Sequence, residues 1–380
     1  MKKVLIIHNL YRNFGGEDSA INGEVELLSK KYHVDKILFD NKNRLNFFDF
    51  LNFVFISNIQ SNRLLKDKIN NFKPDYIYIH NLWFKGSLGL LKVIKNYDIP
   101  LVLKIHNFRY ICANSFFCKA HLGKNKFCPA CGMKKTFIFN KYFKDSYIKS
   151  LFVIRFSKKL YITLKNINSN LFLLTKHHKD ILIDRGFDKQ KLFVLPNFVT
   201  TSTDKNIKRY KQFLYAGRIS EEKGVEELIK SFLSLNLEDY TLKIIGTGPK
   251  LEILQKKYNN NNNLRIVGFL DNKEVIKEIQ KSIAVVSATK LFEGQPTILC
   301  EASLNSIPVI FPDTGGIKEF LPKNYQFLFE QYNYNNLQTV MKKIINSDIE
   351  KIGNENKEFI TGLLNKDNLL NTFTKAINNK

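Results

Sequence analysis

Short apolar runs alternate with helix-patterned stretches along almost the whole chain, and this alternation restricts the fold more than any other feature. The runs are Val4 to His8, Val34 to Phe39, Tyr76 to His80, Leu101 to His106, Leu171 to Thr175 and Leu192 to Leu195, then Phe213 to Gly217, Leu242 to Ile245 and Ile283 to Val286. Continuous apolar runs of this length suit strands covered on both faces, and a strand, helix, strand repeat builds parallel sheets with helices on either side. With 380 residues and 44% hydrophobic content, the chain exceeds what one core organises and can fill two. The expected fold is α/β, with two doubly wound parallel sheets. Residues 1–196 form the first domain and 212–366 the second; 197–211 form an exposed linker in which Thr200-Thr201-Ser202-Thr203-Asp204 carries no apolar periodicity. A helix-like stretch follows over 367–380.

The second half carries the chemistry. Phe292-Glu293-Gly294-Gln295-Pro296-Thr297-Ile298-Leu299-Cys300-Glu301 follows an apolar strand, and Pro296 suits the first turn of a helix because its missing N–H costs nothing there. Backbone N–H groups of Gln295, Thr297 and Ile298 at that helix start favour an anion such as a diphosphate. Glu293, in the loop, can accept hydrogen bonds from sugar hydroxyls; Glu301, about two turns into the helix, can accept them from a ribose. The alternative is one surface and one capping glutamate. Upstream, Gly217-Arg218 and Lys223-Gly224 flank another strand-to-helix turn, where a guanidinium and an ammonium both reach a pyrophosphate. Gly246-Thr247-Gly248-Pro249 repeats the strand, glycine turn, helix pattern. Cys300 reads as a packing residue.

Taken in order, these pieces resemble the family 4 glycosyltransferases of the GT-B fold, which are retaining and use nucleotide sugars. The resemblance covers nearly the whole chain and adds Gly15-Gly16 after the first strand, His106 at a strand end, Leu195-Pro196-Asn197, Val267-Gly268-Phe269, and Gly315-Gly316 with Glu319. Gly15-Gly16-Glu17-Asp18 with His106-Asn107-Phe108-Arg109 and a nearby cysteine group resembles a subgroup associated with bacterial surface polysaccharides. The resemblance implies a GT-B architecture of two Rossmann-like domains facing a cleft that holds the active site. The N-terminal domain would bind acceptor and the C-terminal one nucleotide sugar, with the terminal helix crossing back to the first. It implies a catalytic set of His106, Glu293, Arg218 and Lys223. Donor-binding positions are Gly15, Gly16, Gly217, Arg218, Lys223, Gly246, Gly248, Gly268, Phe269, Glu293, Gly294, Gln295, Pro296, Thr297 and Glu301. His106 would contact the donor sugar near its transferring face; taken alone, it reads as a satisfied strand-end histidine. No Asp-x-Asp metal motif occurs, so no cofactor is expected and cationic side chains would serve the leaving group.

Net charge is +24, and the excess is uneven: 34 Lys+Arg against 14 Asp+Glu in 1–196, but 25 against 21 in 197–380. Between Lys134 and Asn166, nine basic residues are interleaved with Phe137, Phe139, Tyr142, Phe143, Tyr147, Phe152, Phe156 and Tyr161. That mixture suits an anionic membrane surface, where cations meet headgroups and rings enter the interface. Packing of the rings in the domain core is the competing reading. Phe47 to Ile59, with five phenylalanines, is too short and too interrupted by Asp49 and Asn52 to span a bilayer. No signal peptide is legible after Met1-Lys2-Lys3, which places the protein in the cytoplasm, at the inner face of the membrane if the interfacial reading holds. Cys112, Cys118, Cys128 and Cys131, with His121 among them, lie in an insertion at about 108–134 and can hold a structural zinc; reduced thiols are the alternative.

The expected function is transfer of a sugar from a nucleoside-diphosphate donor to a lipid-linked glycan in capsule, O-antigen or exopolysaccharide synthesis. Epimerisation of a nucleotide sugar is the alternative that needs no acceptor. Nucleic-acid binding rests on basic charge alone, without a recognition motif.

Overall fold

The computed structural model describes residues 1–10, 16–40, 51–52, 54–83, 85–112, 146–200 and 207–379. Gly15, Cys118, His121, Cys128, Cys131, most of Phe47 to Phe53 and the aromatics from Phe137 to Phe143 lie outside the described residues. The chain divides into two compact units, 1–198 with 366–380, and 199–365.

Unit 1 contains strands β1 (Lys3–Leu10), β2 (His33–Asp40), β3 (Tyr76–Ile79), β4 (Leu101–Ile105), β5 (Asn170–Leu173) and β6 (Leu192–Val194). They form one parallel sheet in the order β2-β1-β3-β4-β5-β6. Central β3 and β5 are buried at every position, as continuous apolar runs require. Edge strand β2 alternates over its last four residues, Ile37 and Phe39 in and Leu38 and Asp40 out. The helices are α1 (Gly16–Leu28), α2 (Ile59–Phe72), α3 (Gly89–Lys95), α4 (Tyr147–Asn166) and α5 (Lys176–Ile183). Asn58 caps α2 and Thr175 caps α5, each accepting from a backbone N–H three residues on.

Unit 2 contains β7 (Gln212–Ala216), β8 (Thr241–Ile245), β9 (Leu264–Gly268), β10 (Ala284–Val286), β11 (Val309–Pro312) and β12 (Leu328–Phe329). Its order, β12-β11-β10-β7-β8-β9, reverses between β7 and β10, which is the topological switch point where open α/β sheets bind ligands beyond the carboxyl ends of their strands. The surrounding helices are α6 (Val225–Leu233), α7 (Leu251–Lys257), α8 (Asn272–Gln280), α9 (Thr297–Leu304), α10 (Tyr334–Ile345) and α11 (Ile349–Leu363). Val225, Leu228, Ile229 and Phe232 of α6 recur at helical spacing and are all buried. Successive strand residues serve opposite faces: Phe213 and Ile244 enter one core, Leu214 and Ile245 the other.

A last helix, α12 (Lys366–Asn378), belongs to unit 1. Its Leu369, Leu370, Phe373, Ala376 and Ile377 complete the core made by Val4, Ile6, Tyr78 and Phe172. Asn170 donates to the carbonyls of Ala376 and Asn379.

Inside unit 1, the Lys104–Glu24 ion pair is entirely buried. Lys104, in the middle of β4, donates to Glu24 of α1 and to the Pro196 carbonyl at 3.1 Å, while the Tyr78 hydroxyl reaches the other Glu24 oxygen at 3.4 Å. Burial pulls the Lys104 pKa down, against the opposing pull of the Glu24 carboxylate.

Of the eight aromatics read as a membrane-facing set, Phe156 and Tyr161 are core residues. Tyr147 is exposed. The described part of that segment, α4, is thus a helix with one buried face rather than a uniformly interfacial stretch. Among the described residues, no helix is long and apolar enough to cross a membrane.

Candidate active site

In unit 2, the turns beyond β7, β8 and β9 are stitched together edge to edge. Gly217 N–H donates to Ile245 O at 3.0 Å, Ile219 N–H to Thr247 O at 2.8 Å, and Gly246 N–H to Gly268 O at 2.7 Å. The predicted glycine turns at Gly217, Gly246, Gly248 and Gly268 therefore line one carboxyl edge. Phe269, next in sequence, is exposed.

Lys223 ends a short 3-10 turn, Glu221–Lys223. Gly224 follows it with φ +66°, and a Cβ there would stand 1.9 Å from the Ala288 carbonyl oxygen, so only glycine lets this turn lie against the β10 loop. From this position Lys223 Nζ meets Glu293 Oε1 at 2.6 Å, across the switch point. The Thr289 hydroxyl donates to the same oxygen at 3.0 Å. Gly315 supports Glu293 from behind: its φ is +60°, its built Cβ would fall 2.0 Å from the Glu293 carbonyl oxygen, and the next N–H, Gly316, donates to that oxygen at 3.0 Å. Burial alone would raise the Glu293 carboxyl; the Lys223 ammonium, with the hydrogen bonds from Lys223 and Thr289, carries it below its ordinary value. Glu293 is therefore an anion, and Lys223 its cation.

Arg218 pairs with Glu222, one turn on, and keeps half its side chain in solvent. The Tyr215 hydroxyl donates to the Arg218 carbonyl at 2.8 Å, fixing the backbone beside it.

Pro296 is the N-cap of α9 rather than a residue of its first turn, because its ψ of 112° is extended and the helix begins at Thr297. Glu301 is consequently the fifth helical residue, little more than one turn in, not two. No side chain caps this helix start. Gln295 is buried and donates toward Cys300 Sγ at 3.5 Å; burial pushes the Cys300 thiol up to about 12, which suits its packing role. Glu301 is buried, and burial raises its carboxyl pKa, offset in part by Asn272 Nδ2, which donates to Oε1 at 3.1 Å. The two glutamates thus have separate partners: Glu293 works with the β7–α6 turn, and Glu301 with the first residue of α8, just beyond Phe269.

Sequence reasoning did not pick out Thr289, Asn272 or Gln331. Gln331 donates to the carbonyls of Thr289 and Leu291, at 3.2 and 3.0 Å, and holds the loop that bears Glu293. A Thr four residues before Glu293 was the available signal; Gln331 and Asn272 come from distant elements and left none.

In unit 1, the β1–β3 register sets Ile7 opposite Ile79, so His8 and His80 emerge side by side at the carboxyl edge. His8 Nε2 is 2.9 Å from Asp18 Oδ1. His106, beyond β4, has its Nε2 2.9 Å from His80 Nδ1. The two polar motifs singled out in the sequence also meet here: Asn107 Nδ2 donates to Glu17 Oε1 at 2.9 Å, joining the residue after His106 to the one after Gly16. Cys112 is buried nearby in sequence, after the turn that follows His106.

Residues 200–361 match the family model described as glycosyl transferases group 1. The matched segment lies wholly within unit 2, which is thus similar to the group 1 glycosyl transferases. The amylovoran biosynthesis glycosyltransferase AmsD of Erwinia amylovora is 25% identical over 164 residues, 40% of this chain and 46% of that protein. Protein CapJ of Staphylococcus aureus is 27% identical over 178 residues, 41% and 45% respectively. The chain's match thus spans less than half the length of these two relatives. Among solved structures, HepE of Anabaena, crystallised with UDP and glucose, superposes with a TM-score of 0.68 over 99% of both chains at 13% identity. The two six-stranded parallel sheets have the GT-B architecture. Lys223, Glu293, the α9 start and Glu301 all fall inside the matched segment.

Proposed function

We propose that the protein is a retaining glycosyltransferase that moves a sugar from a nucleoside-diphosphate donor to a lipid-linked glycan in surface-polysaccharide synthesis. The observation that carries this reading is the Lys223–Glu293 pair, a cation and an anion held together at the switch point of the unit that is similar to the group 1 glycosyl transferases. Breaking the anomeric C–O bond gives the ring positive character and the leaving diphosphate negative charge. Lys223, Arg218 and the uncapped start of α9 supply positive potential to the diphosphate, and Glu293 accepts hydrogen bonds from sugar hydroxyls. Glu301, steadied by Asn272, accepts from the ribose. His106 contacts the sugar near its transferring face. The acceptor hydroxyl attacks on the face the phosphate leaves, and its proton passes to a phosphate oxygen. The names of the relatives favour transfer over epimerisation.

Titration calorimetry with UDP-, GDP- and dTDP-sugars tests the donor assignment. One class is expected to bind, its free nucleoside diphosphate comparably, and Glu301→Gln to weaken it roughly tenfold, because a charged acceptor makes the stronger hydrogen bond. Unchanged affinity in Glu301→Gln would remove the ribose role.

Unit 1 takes the acceptor at an anionic membrane surface. Its supports are the basic excess in 1–196 and the outer face of α4, where Ile148, Leu151 and Ile162 are exposed alongside Arg155 and Lys159. Each basic side chain near such a surface contributes on the order of 1 kcal/mol. The protein is expected to sediment with anionic but not zwitterionic vesicles and to be released by salt, and reversal of Arg155 and Lys159 should reduce sedimentation. Equal partitioning onto both vesicle types argues for a soluble acceptor.

A further inference from the structure

Five histidines lie at the carboxyl edge of the unit 1 sheet or on the helix after β5, and four of them, His8, His80, His106 and His178, have an identified ring partner. His8 is held by the Asp18 carboxylate and His178 by the Tyr110 hydroxyl. His80 and His106 are held by each other. Their rings stack at 5.1 Å with 25° between planes, and His80 Nδ1 is 2.9 Å from His106 Nε2. Tyr78 covers His80 at 4.3 Å, His8 meets it edge-on at 6.4 Å, and Lys104 lines the same small cavity as both rings. Burial, then the neighbouring His and Lys charges, pull both imidazoles well below their ordinary range, so both are neutral near pH 7.

A hydrogen bond between two neutral imidazoles has a strict consequence. Only one of the two facing nitrogens carries a proton. If His80 Nδ1–H donates, His106 must carry its own proton on Nδ1; if His106 Nε2–H donates, its Nδ1 becomes an acceptor. The state of His80 therefore decides whether His106 offers its other nitrogen to a substrate as donor or as acceptor. Neither His80 Nε2 nor His106 Nδ1 has a hydrogen-bond partner among the described residues. Among the described residues, no second hydrogen bond competes with the one between the rings.

We propose that His80 is a positioning residue for transfer, holding His106 in one ring orientation and one tautomer through the Nδ1 to Nε2 hydrogen bond. This rests on the reading of His106 as a transfer-site residue, and the test keeps the two separable. In protein labelled with 15N-histidine, without ligand at pH 7.5, His106 is expected to show one Nδ1/Nε2 shift pair of a single tautomer. His80→Phe keeps a stacked ring but removes the hydrogen bond, and should average the His106 pair toward a mixture. His80→Asn, whose side chain can still bond to Nε2, should restore it. With the donor selected by the titration above, kcat in His80→Phe is expected to fall at least about tenfold, as for other groups that orient a catalytic imidazole, with KM for donor little changed, and to recover in His80→Asn. A His106 pair unchanged in His80→Phe overturns the proposal, as does an averaged pair with undiminished kcat. If His106→Ala itself turns over normally, it is the role of His106 in transfer that falls.

Discussion

Lys223→Ala is expected to lower the rate of sugar transfer about a hundredfold or more, the usual cost of losing one preorganised partner of a developing charge. The loss should fall on kcat, since the leaving diphosphate carries more negative charge in the transition state than in the bound substrate. A second consequence follows from the pair itself. Without Lys223, Glu293 keeps its burial and loses its cation, so its carboxyl shifts upward and it becomes a poorer acceptor for sugar hydroxyls. The variant should therefore also be more inhibited by mild acid than the parent. Arg218→Ala should be less severe, because Arg218 is half exposed and already paired with Glu222. The check is steady-state kinetics with calorimetric donor affinity alongside: normal kcat in Lys223→Ala would end its assignment to the leaving group, and a raised KM with unchanged kcat would make it a ground-state binder.

The largest stability effect is expected far from that pair. Lys104→Met should destabilise unit 1 by about 3–5 kcal/mol, because it strands the Glu24 carboxylate in a dry interior. Removing both charges should be far milder: Lys104→Met with Glu24→Met fills similar volume with apolar atoms and leaves only the Tyr78 hydroxyl and the Pro196 carbonyl short of a partner. Trp83 is the chain's only tryptophan and lies in unit 1, packed edge-on against Phe156 at 4.8 Å. Its fluorescence in a urea titration reports that unit selectively. A single-variant loss under about 1 kcal/mol would mean that the pair is not held as desolvated charges.

What could be read from the residues, and what could not, divides along physical lines. β1 and β3 announced themselves as apolar runs because a strand buried on both faces draws chiefly on apolar residues. β11 and β12 were not anticipated: Leu328–Phe329 is only two residues, too short for any periodicity to emerge, and Val309–Pro312 is bracketed by Pro308 and Pro312, residues that weaken a strand signal. At the site, Gly224 and Gly315 were legible as glycines, but that each makes room for one particular carbonyl, of Ala288 and Glu293, depends on chains that approach from elsewhere. Lys223 and Glu293 were each singled out; their contact across seventy positions was not, since proximity between distant segments leaves no local mark. The same holds for His80, which reads as the end of an apolar run until β3 and β4 are laid side by side.

The place of α12 has a consequence for how the molecule is made. Unit 2 is inserted, in sequence, between the body of unit 1 and the helix that completes its core. A ribosome that has finished the six strands of unit 1 must still synthesise all of unit 2 before Leu369, Phe373 and Ile377 exist to cover Tyr78 and Phe172, an interval on the order of ten seconds or more at ordinary elongation rates. During that interval the apolar face awaiting α12 is open to water and to chaperones, while unit 2, whose residues are contiguous, can fold as soon as they emerge. The segment synthesised first is thus the last to become stable, and a premature stop near position 365 would spare the later-made unit while leaving the earlier one without its final layer.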